Sequence, residues 1–142
     1  MLDRDQILRL IPHQGRMCLL DQVRAWSAQH ICCRAKSHLD PTNPLLRRGR
    51  LSTVRGLEYG LQAAALHGAL LAGAAAPLGM LASLRGVIIH RTRLDDPAIG
   101  DLHVAARLEH GDTAAQAYRF HLRDHAGELL AEGRAIIALR HS

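Results

Sequence analysis

Aromatic residues make up only 3% of the 142-residue chain: Trp26, Tyr59, Tyr118 and Phe120. Lysine occurs once, as Lys36, so 17 of the 18 positive side chains are arginine, and the net charge is +5. A basic chain suggests nucleic acid, but single-strand binding needs aromatic faces for base stacking, and no helix-turn-helix or RNA-binding signature is present. Richness in Arg, Ala and Leu fits a GC-rich genome, and a basic patch for an acidic protein partner is the alternative. Three cysteines, two of them adjacent (Cys32 and Cys33), cannot build a disulfide framework and lack metal-type spacing. Buried small hydrophobes is the plain reading of that pair, because no adjacent base marks a thiol nucleophile. A reducing, cytoplasmic setting is expected.

Long apolar runs are missing too. The longest candidate, from Leu57 to Met80, is interrupted by Glu58, Gln62, His67 and Pro77, short of the ~18 apolar residues of a membrane span. The opening MLDRDQILRL is charged every few residues and lacks a signal-peptide core. What remains is an ordinary globular composition, 48% hydrophobic and 22% charged, in a chain of the right length for one domain spanning 1–142.

Element signals follow one another along the chain. Asp3 is positioned to cap a short helix over 3–10, which Pro12 ends. A strand-like run with loose alternation occupies roughly 17–37, and HLDPTNPLLRRGR (38–50) reads as a long loop. A helix is predicted over about 52–73, capped by Ser52 or Thr53 and stopped by Gly73. Its positions Val54, Leu57, Leu61, Ala64, Ala65, Gly68 and Leu71 fit a 3.6 period, and its richness in Ala and Gly marks it as buried. Four extended stretches then follow, 81–91, 101–111, 114–124 and 128–140, separated by Gly- or Pro-bearing breaks. A long apolar helix before an antiparallel meander predicts an α+β chain whose sheet wraps a central helix.

That order resembles the hotdog fold, and local sequences narrow it. ILRLIPHQGRMCLLDQV looks like the opening of FabZ-type 3-hydroxyacyl-ACP dehydratases. RGLEYGLQAAALHG resembles their helix, with Gly56, Glu58 and Gln62 in the family's glycine, glutamate and glutamine positions. LASLRGVIIHRTRLDDPAIGDLHVAARL resembles their strand, crossover and Gly-Asp pair, here Gly100 and Asp101. HLDPTNPLLRRGRLS together with GLEY–Q–HGALLAG is closer still to predicted dehydratases of aryl-polyene-type pigment systems. The resemblance implies a carrier-bound 3-hydroxyacyl thioester as substrate, Glu58 as catalytic acid, and no cofactor or metal beyond the pantetheine arm of the carrier or CoA. One departure stands out. The family's His-Phe-Pro histidine lies fourteen residues before the glutamate, and here that position is Pro44. His38, twenty residues upstream, is the candidate, at the cost of a longer loop.

The chemistry needs a base to take the C2 proton and an acid to protonate the departing C3 hydroxyl. Histidine titrates near working pH, and a carboxylic acid donates when burial keeps it protonated. Glu58 lies among small and apolar helix positions, where Gln62 on the same face could orient it and Arg55 could pair with it. Asp40 or Asn43 could fix the tautomer of His38, with Asn43 a fallback polar group. Gly56, Gln62, Asn43 and Arg55 are the expected substrate-binding residues. His67, nine positions from Glu58, falls on the opposite helix face and reads as a core or interface histidine. Arg47, Arg48 and Arg50 could steer an acidic acyl carrier protein, against the plain reading of a solvated basic loop. Edge pairing into a homodimer, or a heterodimer with another hotdog subunit, is expected, with His38 of one chain facing Glu58 of the other. The alternatives are a non-catalytic or half-catalytic subunit supporting a partner dehydratase, or an acyl thioesterase relying on Glu58 alone.

Overall fold

A computed structural model describes residues 1–139 apart from 13, 74–78 and 113. Asp3 caps helix α1 (Arg4–Leu8) by accepting from the Gln6 backbone while Gln6 answers with its side chain, and Ile7 of that helix is buried. The stretch expected as one strand over 17–37 is a 3₁₀ turn (Gly15–Met17) followed by a hairpin of β1 (Gln22–Trp26) and β2 (His30–Ala35). The hairpin closes without Gly or Pro. Ser27 N–H donates to the His30 carbonyl, and the Ser27 hydroxyl accepts from Gln29 N–H, so a serine supplies the turn chemistry.

Helix α2 (Thr53–Ala72) starts and stops as expected. The Ser52 hydroxyl accepts from Arg55 N–H, and Gly73 closes the helix at φ +74. Beyond it lie β3 (Gly79–Ile89), β4 (Leu102–Gly111), β5 (Ala115–Arg123) and β6 (Leu129–Leu139). The six-stranded sheet is antiparallel in order β1-β2-β4-β5-β6-β3. The expected four-strand meander is therefore three strands long. β3 pairs with β6 at the far edge rather than with β4. The physical reason is its connection: residues 90–101 hold Pro97 in a 3₁₀ turn (Pro97–Ile99) and pack against the start of α2, where Leu51 and Ser52 bond to Asp95, Leu94 and Arg93. A segment that long crosses the end of the sheet instead of folding back on it.

The sheet's inner face packs on α2. Val104, Ala106, Tyr118, Phe120, Leu122 and Ala135 are buried there. The helix meets this face with small residues: a Cβ on Gly60 would overlap the Phe120 ring, so glycine sets how closely sheet and helix approach. Among the described residues, no helix is long and apolar enough to cross a membrane.

Candidate active site

His38 sits in a 3₁₀ turn (Ser37–Leu39) just after β2 and is 1% exposed. Its Nε2 lies 2.7 Å from the carbonyl oxygen of Gly100. A carbonyl only accepts, so Nε2 carries the proton and the neutral ring presents its lone pair at Nδ1. That Nδ1 is buried and has no hydrogen-bond partner. Burial lowers the imidazole's pKa, with the Gly100 bond and the charges of Asp101 and Asp21 opposing it, so the ring is neutral at pH 7. Gly100 adopts φ +65, ψ −146, which only glycine tolerates, and a Cβ there would strike the His125 ring. Neither Asp40 nor Asn43 fixes the tautomer, as had been expected; a backbone carbonyl does.

The residues flanking the two candidates are bonded to each other. Ser37, beside His38, and Tyr59, beside Glu58, share a 2.6 Å hydroxyl contact. Ser37 also donates to the Leu19 carbonyl, and Asn43 Nδ2 donates to the Ser37 carbonyl (2.7 Å) and the Tyr59 hydroxyl (3.1 Å). Tyr59 is fully buried, and its hydroxyl pKa is pushed up to about 12, chiefly by desolvation. It works as a neutral brace between the His38 turn and helix α2.

Glu58 stands in a different setting. It is half-buried, and among the described residues its carboxylate makes no hydrogen bond or ion pair. Val54, Leu61, Ala65, Gly68 and Ala72 share its side of α2, and none of them is buried. Of the periodic positions expected to be buried, Leu57 and Ala64 are, whereas Val54 is 64% exposed and Leu71 40%. Arg55 is exposed and does not pair with Glu58. Gln62 does not reach Glu58 either. Its oxygen accepts from Leu19 N–H (2.9 Å) and its amide donates to the Met17 carbonyl (2.6 Å), tying the opening segment to the helix. Gly56 packs against Leu94 with no room for a Cβ. Arg47, Arg48 and Arg50 form an exposed turn in which Arg48 and Gly49 take positive φ, and Arg47 donates to the Pro44 and Leu46 carbonyls. A cleft of about 490 Å³ opens beside the His38 turn, with Arg4, Arg16 and Lys36 facing Asp21 and Asp40.

A family model for ApeP-like proteins, described as ApeP dehydratase, matches residues 5–139. The chain belongs to the ApeP-like dehydratase family. Among solved structures, the dehydratase heterocomplex ApeI:P from Xenorhabdus doucetiae is similar at 22% identity and TM-score 0.84, covering 96% of this chain and 91% of that one. AziG from S. sahachiroi is similar at 18% identity and TM-score 0.63, covering 84% of this chain and 91% of its own. A hypothetical thioesterase from Streptococcus pneumoniae, solved with coenzyme A, reaches TM-score 0.63 at 11% identity, covering 85% and 86%. These likenesses give this ApeP-like chain the hotdog fold. No curated protein sequence matches it.

Two further titratable groups of this ApeP-like chain belong to the core. His67 is fully buried, bonded through Nε2 to the Ser27 carbonyl and through Nδ1 to the Tyr118 hydroxyl, each at 2.8 Å, the core histidine its helical phase predicts. Cys33 is buried and its thiol pushed up to about 12 by desolvation, which removes it as a nucleophile. No metal-holding cluster occurs among the described residues. Sequence reasoning missed Tyr59, Ser37 and the Gly100 carbonyl. For Tyr59 the available signal was its place beside Glu58, as the one aromatic residue of an aliphatic helix rich in Ala and Gly.

Proposed function

We propose that this chain supplies the catalytic base and acid of a 3-hydroxyacyl-carrier-protein dehydratase acting in fatty-acid or aryl-polyene-type biosynthesis. The observation that carries the reading is the buried, unpartnered Nδ1 of His38, a lone pair held ready by the Gly100 carbonyl behind it. Nδ1 takes the C2 proton of the thioester. The C–H electrons form the C2=C3 double bond, and the C3 hydroxyl leaves as water with a proton from Glu58. The product is a trans-2-enoyl thioester, and the pantetheine arm of the substrate is the only carrier the scheme needs.

Glu58 is half-buried on a helix face shared with Val54, Leu61 and Ala65, none of which is buried. A second hotdog chain laid on that face would exclude water from the carboxyl, and a dry carboxyl holds its proton. The ApeI:P structure is a heterocomplex, which favours a hotdog partner for this chain, with His38 of one subunit opposite Glu58 of another. Arg47, Arg48 and Arg50 offer an acidic carrier protein an exposed contact, and Arg55 lies at the rim of the same helix end.

The test is intact-mass analysis after incubation with a 3-hydroxyacyl carrier protein, with the chain alone and with a second hotdog subunit. Loss of water from the thioester supports the reading. Release of the free carrier thiol would favour the thioesterase alternative, as on the thioesterase neighbour's fold. Activity that needs the second subunit and survives both His38→Asn and Glu58→Gln would make this chain a supporting subunit only.

A further inference from the structure

The outer face of the sheet carries arginines in register. Across neighbouring strands His30 pairs with Arg107, Arg107 with Arg119, Arg119 with Arg134, and Arg134 with Arg85. One row thus runs across β2, β4, β5, β6 and β3 with a basic side chain at every step. A second row places Arg34, His103 and Arg123 side by side. Arg85, Arg107 and Arg134 are exposed. Like charges set directly opposite on neighbouring strands destabilise a sheet. Glu109 relieves part of the row, reaching Arg134 at 3.2 Å and Arg119 at 3.8 Å. Among the described residues no carboxylate lies within ion-pair distance of Arg85 or Arg107, so the row keeps a positive surplus at both ends. The field is felt nearby: His121, between the rows, has its pKa lowered by burial and then by Arg123 and Arg119, with the carboxylate of Glu132 beside it opposing them.

We propose that this arginine row is a docking surface for an acidic α-helix of a protein partner. Strands lie about 4.8 Å apart, so four arginines on consecutive strands span roughly 14 Å. A helix laid across the strands repeats every ~5.4 Å and brings carboxylates at i, i+4, i+7 and i+11 to one face over a similar length. Charge complementarity therefore comes with matched spacing. Nucleic acid fits less well, because the rows hold no aromatic ring on which a base could stack. A bilayer fits less well, because a sheet wrapped round a helix offers a convex face and the row between the arginines holds the carboxylate of Glu132, leaving Cys32, Ala105 and the half-exposed Ile88 at the edge as its uncharged residues. The surface lies across the sheet from α2, so its occupant tethers or assembles the protein and does not deliver a thioester to His38.

The probe is a dye-labelled helical peptide with glutamates at i, i+4, i+7 and i+11, titrated by fluorescence anisotropy. A peptide of the same composition with its glutamates spread around the helix, duplex and single-stranded DNA, and vesicles containing phosphatidylglycerol are titrated alongside. The patterned peptide is expected to bind tightest. The Arg85→Gln/Arg107→Gln/Arg134→Gln variant is expected to bind it about tenfold or more weakly, as loss of several complementary charges implies, with an unchanged dehydration rate and a melting temperature no lower than wild type. Equal binding of the two peptides, undiminished binding by the variant, or tighter binding of DNA or vesicles would overturn the proposal. A destabilised variant would also overturn it, since the row would then serve the sheet itself.

Discussion

The turn that carries His38 is held by Gly100, Ser37, Asn43 and Tyr59 through bonds of 2.6–3.1 Å, whereas the half-buried Glu58 has no such bonds among the described residues and sits on a helix face with Val54, Leu61 and Ala65. One half of the candidate site is finished within the chain. The other half is a half-buried carboxyl with apolar neighbours and, among the described residues, no hydrogen-bond or ion-pair partner. A base must be held in one tautomer with a defined lone pair, which takes a network; an acid that works at an interface needs its surroundings completed by whatever covers it. The difference identifies which half a partner subunit can influence.

Replacing the finished half should cost most. His38→Asn removes the lone pair and is expected to lower the dehydration rate by about 10²–10⁴-fold, read by product mass, at the scale of general-base catalysis. Glu58→Gln should lose about 10²-fold, the lower end of that range, while its unfolding free energy stays within about 0.5 kcal/mol of wild type, as for a half-buried side chain without polar partners among the described residues. A strongly destabilised Glu58→Gln would break the contrast between the two halves. Tyr59→Phe strips the brace from the Asn43 amide and the Ser37 hydroxyl and should cost about 1–3 kcal/mol in urea unfolding, with turnover falling although Tyr59 touches no substrate.

Acid should weaken the fold at two buried histidines, one in this turn and one in the core. His38 and His67 both have lowered pKa values through burial, so the native state binds fewer protons than the unfolded chain. Their contribution is complete above the unfolded value near pH 6.5 and is lost as the pH falls from there through the folded values. Unfolding free energy should be level above about pH 6.5 and decline below it, with a slope of at most about 1.4 kcal/mol per pH unit for each histidine. His67→Phe should make that decline shallower, and an unchanged slope would show that His67 does not titrate with folding.

Much of this architecture is written in local patterns. Ser52, Gly73 and a run of small residues mark α2, and the alternation of Tyr118, Phe120 and Leu122 with Arg119, His121 and Arg123 marks β5, because caps and side-chain period act within a few residues. The β1–β2 hairpin was less visible because its turn is Ser27-Ala28-Gln29, without Gly or Pro. The place of β3 beside β6 was invisible, since periodicity identifies a strand and not its neighbour. At the candidate site, Glu58 was singled out by its family-like helix spacing, and His38 as a candidate by residue type alone, since the family's histidine position is Pro44 here. The Gly100 carbonyl could not, because a backbone acceptor 62 residues from His38 leaves no side-chain trace. Gln62 has the right spacing from Glu58 and still bonds elsewhere, to Met17 and Leu19, since the chain's opening segment passes closer to its amide.

The proposal that His38 acts as the base depends on a neutral ring protonated at Nε2 and open at Nδ1. ¹⁵N NMR of the His38 imidazole at pH 7 tests this directly. The geometry predicts a protonated Nε2, an unprotonated Nδ1 and a titration midpoint below that of an exposed histidine. A ring that is cationic at pH 7, or whose proton resides on Nδ1, would contradict it.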